Sequence, residues 1–382
     1  MAQAGNDKTM RLFLTDAGYK HTLGAVRTLG KRGIYVLAGS STPHSLSFYS
    51  KYCRERVIYP SPRDEHKFVS FLLEYMGRNR VDVLLPIGYL ASTALSRHKS
   101  EFYGLTEIPV ADCESMKIAG DKDLTMKFAE SVGIKVPNLF IDSDEVTSYP
   151  VVVKGLIESG KISYANSPQD LHRLNARDAL IQEYIPGEGY GFFALFNHGH
   201  PRAIFMHKRI REYPITGGPS TVAESIYDEE LKRQGLRLLE ALKWHGVAMV
   251  EFKKDCRDGQ FKLMEINPKF WGSLDLATAA GVDFPYLAAR MAVEGDIDPL
   301  FSYKIGIRFR WLFPDDTLHL MANPASIGAY IRDFFDMNTK TNIWPGDILP
   351  NILQVGETGL QLFRRLKSGS LRYPYGKPEV KN

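Results

Sequence analysis

Two apolar runs, separated by a turn and each ending in acidic or amide side chains, constrain this chain more than any other feature. The first run, 247–250, leads directly into Glu251, and the second ends in Glu265 and Asn267. The Asp-Gly pair at 258–259 is a strong turn signal, so the two runs are predicted to form an antiparallel hairpin. Because side chains alternate between the faces of a strand, Glu265 and Asn267 share one face, and pairing brings Glu251 close to them.

These oxygen-bearing side chains are predicted to hold a divalent metal ion. Hard oxygen donors suit Mg²⁺ bound together with phosphates, and burying two carboxylates without a cation is costly. The same residues also fit a solvated hairpin with ordinary surface charges. The predicted metal ligands are Glu251, Glu265 and Asn267.

Three further motifs precede the hairpin in a fixed order. Lys122 opens a helix-prone stretch, Lys154 ends the apolar run 149–153, and the segment 181–188 reads IQEYIPGE. A lysine after a strand is most often a solvated strand end, so neither lysine is specific by itself. The ordered set, completed by the hairpin carboxylates, is far more specific than any member.

Taken together, residues 114–285 resemble the ATP-grasp superfamily, in particular its carboxylate–amine ligase and carbamoyl-phosphate-synthetase-like branch. The resemblance implies that Lys122 and Lys154 contact the nucleotide phosphates. It also implies a hinge between two lobes, where backbone groups bind adenine and a carboxylate holds the ribose. The hinge and ribose candidates are Glu183, Tyr184, Ile185 and Glu188.

A basic run at 203–213 is predicted to contact phosphate. Strand alternation places His207, Arg209 and Arg211 on one face and Lys208 on the other. Cationic groups beside a Gly-Gly turn suit a γ-phosphate or an acyl phosphate, and family members place basic residues here. Arg209 is therefore a predicted catalytic residue and Lys208 a predicted nucleotide ligand, whereas a solvated edge strand explains the charges equally simply.

The chain departs from the family pattern at two places. Where the family often has an arginine, two residues after the asparagine, this chain has Lys269, which keeps the charge but loses the planar fork. Lys269 is retained as a predicted catalytic residue. The loop 155–161, GLIESGK, has two glycines where the family is usually glycine-rich, and Lys161 adds a positive contact.

A later alternating strand, 305–311, carries Arg308 and Arg310 on one face. Arg308 is predicted to hold a substrate carboxylate and is included among the catalytic candidates. A capping salt bridge is the alternative explanation.

The amino-terminal part alternates strand-type and helix-type runs, which predicts βαβ units and a parallel sheet. The strand-type runs are 10–16, 34–38 and 81–86, and the helix-type runs are 21–33 and 65–77. Gly18 lacks the neighbours of a Gly-x-Gly-x-x-Gly motif, so a dinucleotide site is not indicated. Candidate substrate-side residues beyond the strand ends are Asp16, Tyr19 and Gly88, with turn and capping chemistry as the alternative.

The carboxy-terminal part is predicted to be helical and basic. Residues 326–337 carry apolar side chains at helical spacing, a face expected to pack on the core or on a partner. A second helix-prone stretch, 349–366, is predicted to break near Gly356 and Gly359. Basic residues then dominate, namely Arg364, Arg365, Lys367, Arg372, Lys377 and Lys381 against Glu379 alone. A solvated end is expected, with contact to anionic lipid or an acidic partner as the alternative.

Length and composition exclude several classes of protein. At 382 residues the chain is expected to form two or three domains. A net charge of +4 gives no case for nucleic acid as a partner. Three widely spaced cysteines suggest a reduced, cytoplasmic protein, and neither a secretory signal nor a membrane-spanning run is evident.

The expected fold class is α/β and α+β, in three parts. These are a Rossmann-like pre-ATP-grasp domain at 1–113, a two-lobed ATP-grasp domain at 114–312 and a helical carboxy-terminal extension at 313–382. The resemblance implies an ADP-forming carboxylate–amine ligase that works through an acyl phosphate, with ATP and Mg²⁺ or Mn²⁺. An amino acid or small peptide is the expected substrate, and a homodimer is a candidate assembly.

Two other functions stay open. One is a bicarbonate-phosphorylating carboxylase or carbamoyl-phosphate-type enzyme, although the chain has neither a biotinyl segment nor a duplicated grasp unit. The other is a regulator that binds ATP without turnover, against which the two hairpin glutamates and the asparagine argue.

Overall fold

The computed structural model describes residues 9–140, 142–155, 162–174, 179–373 and 377–379. Most of the predicted phosphate loop, 156–161 with Lys161, lies outside the described residues, as does Lys381 of the tail. Three sheets carry the described part of the chain.

The amino-terminal part forms a four-stranded parallel sheet. Its elements are β1 (Arg11–Leu14), α1 (Lys20–Lys31), β2 (Tyr35–Ser40), β3 (Glu55–Ile58), α2 (Glu65–Arg78) and β4 (Val83–Leu85). The strand order is β3-β2-β1-β4, so the parallel pairing predicted by the βαβ pattern is present. Strands β1, β2 and β4 are almost wholly buried, as expected when helices cover both faces of a parallel sheet.

A small antiparallel sheet follows, with strand order β5-β8-β6-β7. The elements in this region are α3 (Tyr89–Arg97), α4 (Cys113–Gly120), α5 (Lys122–Ser131), β5 (Leu139–Phe140), β6 (Val151–Gly155), β7 (Ile162–Ala165), α6 (Pro168–Leu174) and β8 (Ala179–Glu183). Strand β6 is the apolar run that ends in Lys154, and it lies in the interior of this sheet. The lysine is therefore carried by a central strand and not by an edge.

The third sheet has seven strands and carries most of the predicted site. Its elements and the helices between them are β9 (Gly187–Asn197), β10 (His200–Glu212), β11 (Ser220–Ser225), α7 (Glu229–Ala241), β12 (Gly246–Asp255), β13 (Phe261–Asn267), α8 (Leu274–Ala280), α9 (Phe284–Glu294), β14 (Arg308–Arg310), α10 (Thr317–Ala322), α11 (Ile327–Phe335), β15 (Thr339–Thr341) and α12 (Ile348–Lys367). The order is β13-β12-β9-β10-β11-β14-β15, and all pairs are antiparallel except β14 with β15.

The parallel sheet and the seven-stranded sheet share a hydrophobic core. Leu12 and Val36 of the parallel sheet belong to the same buried cluster as Phe193, Phe205 and Trp271. Because apolar burial is the main favourable term in folding, these two parts of the chain stabilise each other. One end of the parallel sheet is thereby held beside the predicted site.

The predicted alternation along β10 is wrong beyond Arg209. The pairing with β11 shifts between Arg209 and Arg211, so that Arg209 pairs with Ala223 and Arg211 with Val222. Ala223 and Val222 are consecutive and face opposite sides of β11, so Arg209 and Arg211 lie on opposite faces of the sheet. A β-bulge depends on the partner strand, and nothing in the sequence of β10 alone indicates it.

The predicted break in the carboxy-terminal helix is also wrong. Helix α12 is continuous from Ile348 to Lys367 and contains both Gly356 and Gly359. A glycine costs a helix interior only about 1 kcal/mol relative to alanine, which is too little to end a helix of this length. In the described part of the chain, no helix is both long and apolar enough to cross a membrane.

Buried ion pairs fasten the carboxy-terminal region to the rest of the molecule. The Arg27 Nε atom of α1 donates to Asp347 Oδ2 at 2.8 Å, and both side chains are 2% exposed. Arg211 of β10 donates to Asp316 at 2.9 and 3.0 Å and to Asp333 of α11 at 2.5 Å. These contacts hold the polar sides of α11 and of the start of α12 against the rest of the protein.

Candidate active site

A cavity of about 830 Å³ lies between the small antiparallel sheet and the seven-stranded sheet. Strands β6 and β7 form one wall, and β9, β10, β12 and β13 form the other. Residues 19–21, which follow β1, line one end together with Lys269 and residues 271–273, which follow β13. The volume falls within the range of about 300–1,000 Å³ usual for small-molecule sites.

The hairpin carboxylates face each other across one wall of this cavity. Glu251 of β12 pairs directly with Glu265 of β13, and Met249 pairs with Asn267, so the predicted hairpin and its register are confirmed. All four side chains line the cavity. The Asn267 Nδ2 atom donates to Glu265 Oε1 at 3.1 Å, which keeps the amide beside the carboxylate.

Arg209 pairs directly with one of these carboxylates, Glu251. Its guanidinium forms an ion pair with Glu251 and a second, at 3.4 Å, with Glu212, and its Nη1 atom donates to the Gly218 carbonyl at 3.2 Å. The side chains of Arg209 and Glu251 are only 12% and 19% exposed.

Burial is the largest effect on the charges of Glu251 and Arg209. Burial raises the pKa of Glu251 despite the opposing effect of Arg209, and the neighbouring Glu265 raises it further. Burial alone would lower the pKa of Arg209, but the Glu251 and Glu212 carboxylates raise it overall. Arg209 is thus shared between Glu251 and Glu212, and a cation bound beside Glu251 would favour its ionised form.

Lys154 lies on the opposite wall of the cavity, on β6. It is 7% exposed, and its Nζ atom donates to Gln182 Oε1 at 2.8 Å. Burial lowers the pKa of the Lys154 ammonium, while the Glu265 and Glu251 carboxylates act to raise it. Since these carboxylates influence Lys154, the two walls are close enough to act on one ligand.

Lys122 lies near Lys154 but not on the cavity wall. Asp121 caps α5 by accepting from the backbone N–H groups of Asp123 and Leu124, which fixes Lys122 at the first helical position. The Lys122 side chain is 8% exposed, and its charge lowers the pKa of Lys154. The structure therefore brings the two predicted lysines together, with Lys154 on the cavity wall and Lys122 behind it.

The segment after β8 brings Tyr184 and Ile185 to the cavity, whereas Glu183, the last residue of β8, does not line it. Glu183 instead accepts from the backbone N–H of Asn138 at 3.1 Å and pairs with Arg257 at 2.5 Å. Strand alternation accounts for the opposite directions of Glu183 and Tyr184, which are consecutive residues of an extended chain.

Four other predicted residues, Lys208, Glu188, Arg308 and His207, also lie off the cavity wall. Lys208 pairs with Glu188 at 2.7 Å on the face of β10 opposite Arg209. Arg308 pairs with Glu224 at 2.6 Å. His207 is 1% exposed and packs against Phe193, and burial holds its pKa well below the usual value, so it is a neutral core residue.

The amino-terminal end of the cavity is lined by Tyr19, Lys20, His21, Lys269, Trp271 and Asp315. Lys20 pairs with Asp315 at 2.5 Å, and Trp271 is 2% exposed with no hydrogen-bond partner for its Nε1 atom among the described residues. Asp16 and Gly88 do not line the cavity. Asp16 accepts from the Gly88 N–H at 2.8 Å, which is the turn chemistry named as the alternative.

Sequence reasoning missed Lys253, which lines the cavity two residues after Glu251 on β12. Its Nζ atom donates to the Ile185 carbonyl at 2.6 Å and lies 5.0 Å from the centre of the Tyr184 ring. Strand alternation from Glu251 could have identified it. Lys20, Trp271 and Asp315 carried no comparable signal, because their positions depend on contacts between distant parts of the chain.

The chain is similar to known proteins in sequence and in fold. A family described as ATP-grasp in the biosynthetic pathway with Ter operon matches residues 175–312. The N-terminal section of the carbamoyl phosphate synthase large chain from Methanopyrus kandleri is 23% identical over 314 residues, 74% of this chain and 55% of the relative. The large chain from Methanothermobacter thermautotrophicus is 21% identical over 307 residues, 72% of this chain and 28% of the relative. The chain thus spans about half or less of these relatives.

Solved structures resemble the chain over most of its length. N5-carboxyaminoimidazole synthetase from Staphylococcus aureus, complexed with ADP, has a TM-score of 0.64 at 16% identity and covers 87% of this chain and 89% of its own. L-amino acid ligase from Bacillus licheniformis has a TM-score of 0.61 at 16% identity, and the match covers 77% of this chain and 78% of the ligase. Biotin carboxylase from Campylobacter jejuni has a TM-score of 0.61 at 15% identity, and the match covers 80% of this chain and 75% of the carboxylase. At these identities the likeness establishes a shared fold.

Proposed function

We propose that this chain is an ATP-dependent, ADP-forming ligase. It has the ATP-grasp fold, and its sequence resembles the carboxylate–amine ligase and carbamoyl-phosphate-synthetase-like branch. It would join a carboxylate to an amine through an acyl phosphate. The observation that carries the proposal is the directly paired Glu251 and Glu265 in a cavity that also holds Arg209, Lys154 and Lys253.

The residues on the cavity wall fit a divalent cation. Two carboxylates and an amide are the hard oxygen donors that Mg²⁺ prefers, and phosphates and water complete its coordination in enzymes of this kind. Burial and the neighbouring Glu265 raise the pKa of Glu251, so a cation bound beside the pair would favour the ionised form of Glu251. Mg²⁺ held by Glu251, Glu265 and Asn267 would supply that charge and neutralise phosphate oxygens.

The chain's own residues would control charge during phosphoryl transfer. Lys154 would bind phosphate oxygens from the opposite wall, with Lys122 behind it, and Arg209 would stabilise charge on the transferring group. Lys253 would fix the Ile185 carbonyl beside the adenine while keeping its own charge near the nucleotide. Little covalent chemistry is required of the protein.

The carboxylate substrate would occupy the amino-terminal end of the cavity. Lys269 offers a positive charge there, and the unpartnered Nε1 atom of the buried Trp271 offers a hydrogen bond. A buried donor without a partner is costly, so a ligand that accepts from it gains affinity. An amino acid or a short peptide, which carries a carboxylate and a compact polar backbone, fits these groups.

Bicarbonate phosphorylation is the second candidate function. The carbamoyl phosphate synthase relatives and the carboxylase among the similar structures favour it. Both reactions begin with attack of a carboxylate-type oxygen on the γ-phosphorus of ATP, and they differ in the acid that is consumed.

The nature of the products tests the ligase proposal. Amino acids and dipeptides would be screened with Mg·ATP, and we expect ADP and inorganic phosphate in equal amounts, each dependent on both the acid and the amine. Neutral hydroxylamine should trap the activated acid as a hydroxamate. Formation of AMP and pyrophosphate would overturn the acyl-phosphate mechanism, and a stable phosphorylated product would indicate a kinase. ADP formation that requires only bicarbonate would support the second candidate.

Lys154→Met is expected to weaken ATP binding. The substitution removes a buried ammonium that faces the Glu251–Glu265 pair across the cavity, and a hydrogen bond to a charged group contributes about 1–3 kcal/mol. Isothermal titration calorimetry would measure the change in affinity. Lys208→Met is the matched control, because Lys208 is also a strand lysine but lies off the cavity. Equal affinity in Lys154→Met and the parent would remove Lys154 from the phosphate site.

A further inference from the structure

Helix α12 has its polar side inward and its apolar side outward. Its buried side chains are Pro350, Gln354 and Thr358. Its outward side, which we call the α12 apolar face, consists of Ile348, Leu349, Ile352, Leu353, Val355, Leu360, Phe363 and Leu366. These side chains are between 38% and 64% exposed. A helix on a globular protein ordinarily turns such a face toward the core.

The inverted orientation is fixed by buried polar contacts. Asp347, which immediately precedes α12, accepts from Arg27 Nε and from the Ser50 hydroxyl at 2.8 Å each and from the Lys51 N–H at 2.9 Å. Asn351, in the first turn, accepts from Arg27 Nη2 at 2.9 Å. Rotating α12 to bury its apolar face would break these bonds and leave Arg27 buried without a counter-ion, which is strongly unfavourable.

Helix α11 shows the same inversion independently. Its buried residue is Asp333, which accepts from Arg211, whereas Ile327, Ile331, Phe334 and Phe335 are exposed. Of the 25 exposed large apolar side chains in the described part of the protein, 14 lie between residues 321 and 366. This concentration is far above the scattered apolar residues normal on a protein surface, and such patches mark interaction sites.

The charges around these helices are mainly positive. Residues 327–373 contain six Arg or Lys side chains and four Asp or Glu side chains. Two of those acids, Asp333 and Asp347, are consumed in buried ion pairs with Arg211 and Arg27. Arg364 and Lys367 lie in the last turn of α12. The acidic residue of this helix is Glu357, which is exposed.

We propose that the α12 apolar face docks on the surface of an anionic lipid bilayer, with the helix lying in the plane of the membrane. Apolar residues on one face of a helix, accompanied by Arg and Lys, are the features by which helices bind anionic lipid surfaces without spanning them. A second copy of the chain is disfavoured as the occupant, because it would bring the same positive charges together. The sequence left open that the basic tail contacts a membrane. The proposal assigns membrane contact to one defined helix face, the α12 apolar face.

Vesicle sedimentation tests the proposal on the full chain. We expect binding to vesicles of phosphatidylcholine with phosphatidylserine at low ionic strength, with binding weakened by added salt and by omission of phosphatidylserine. The dependence on both follows from the electrostatic contribution of Arg364 and Lys367. Absence of binding to the anionic vesicles at low salt would overturn the proposal.

Paired variants separate the apolar and charged contributions. Ile352→Ser with Phe363→Ser is expected to lower the vesicle partition coefficient by about tenfold or more, since burial of each partly exposed side chain contributes at least about threefold. Arg364→Gln with Lys367→Gln should lower it about twentyfold at low salt, at about fivefold for each cation. The matched controls are Tyr103→Ser with Ile305→Ser and Lys31→Gln with Lys117→Gln, which change exposed residues elsewhere.

Folding and self-association are measured on the same proteins. All the substituted apolar and basic residues are exposed, so melting temperatures should stay near that of the parent. Sedimentation velocity would detect self-association. If the chain is a dimer that Ile352→Ser with Phe363→Ser dissociates, and it does not bind vesicles, the face is an interface between copies and the proposal is wrong. Equal losses of binding in the controls would also contradict it.

Discussion

Glu265→Gln is expected to lower turnover by at least about a hundredfold while leaving the fold intact, because it removes a charge directed at the bound cation. Glu265 pairs directly with Glu251 on the neighbouring strand and receives a hydrogen bond from Asn267. Glutamine has the same shape and can still accept from Asn267. The steady-state rate of ADP formation, at saturating ATP and Mg²⁺, measures the effect.

The matched control for this substitution is Glu240→Gln, at an exposed position of α7. It changes the net charge by the same amount and lies away from the cavity, so turnover should remain within about twofold of the parent, as is usual for surface substitutions. Near-normal ADP formation by Glu265→Gln would remove the hairpin from the active site, whatever the control shows.

Arg209→Met is expected to lower turnover about a thousandfold, the upper range for loss of one group that stabilises transition-state charge. It should also destabilise the protein in the absence of Mg²⁺, because the buried Glu251 then lacks its ion-pair partner. Removing one partner of a buried ion pair typically costs about 3–5 kcal/mol. Urea unfolding with and without Mg²⁺ would detect this, and Mg²⁺ should stabilise Arg209→Met more than the parent.

Arg308→Met serves as the comparison for the arginine substitution. Arg308 was predicted from the sequence to hold the substrate carboxylate, but its guanidinium pairs with Glu224 off the cavity wall. We therefore expect it to retain most of the parental activity. A loss in Arg308→Met that matches the loss in Arg209→Met would restore the sequence-based assignment and contradict the placement of the site around Arg209.

The hairpin and its register could be predicted because two local rules determine them. The Asp258-Gly259 turn fixes which residues pair, and alternation then fixes which face each side chain occupies. Lys154 was predictable for a similar reason, since an apolar run that ends in a lysine places one charge at the end of a buried strand. Both signals are contained within short segments.

The errors and omissions arose where a position depends on distant parts of the chain. Arg211 is displaced by a register shift that involves β11, and Lys20 reaches the cavity end beside Asp315, 295 residues further on. The orientation of α12 could not be read from its own apolar pattern, which predicts burial. Arg27, far away in sequence, decides that orientation through Asp347.

The Arg27–Asp347 pair has a consequence for synthesis of the chain. Helix α1 is translated before the counter-ion of its buried arginine, which is 320 residues away. At about 5–20 residues per second, the interval before Asp347 is translated is roughly 15–60 s. The groups that bond the Arg27 guanidinium all belong to residues 342–351, so Arg27 must remain hydrated during that time. We therefore infer that the Arg27 side of α1 reaches its final packing only after residues 342–351 are translated.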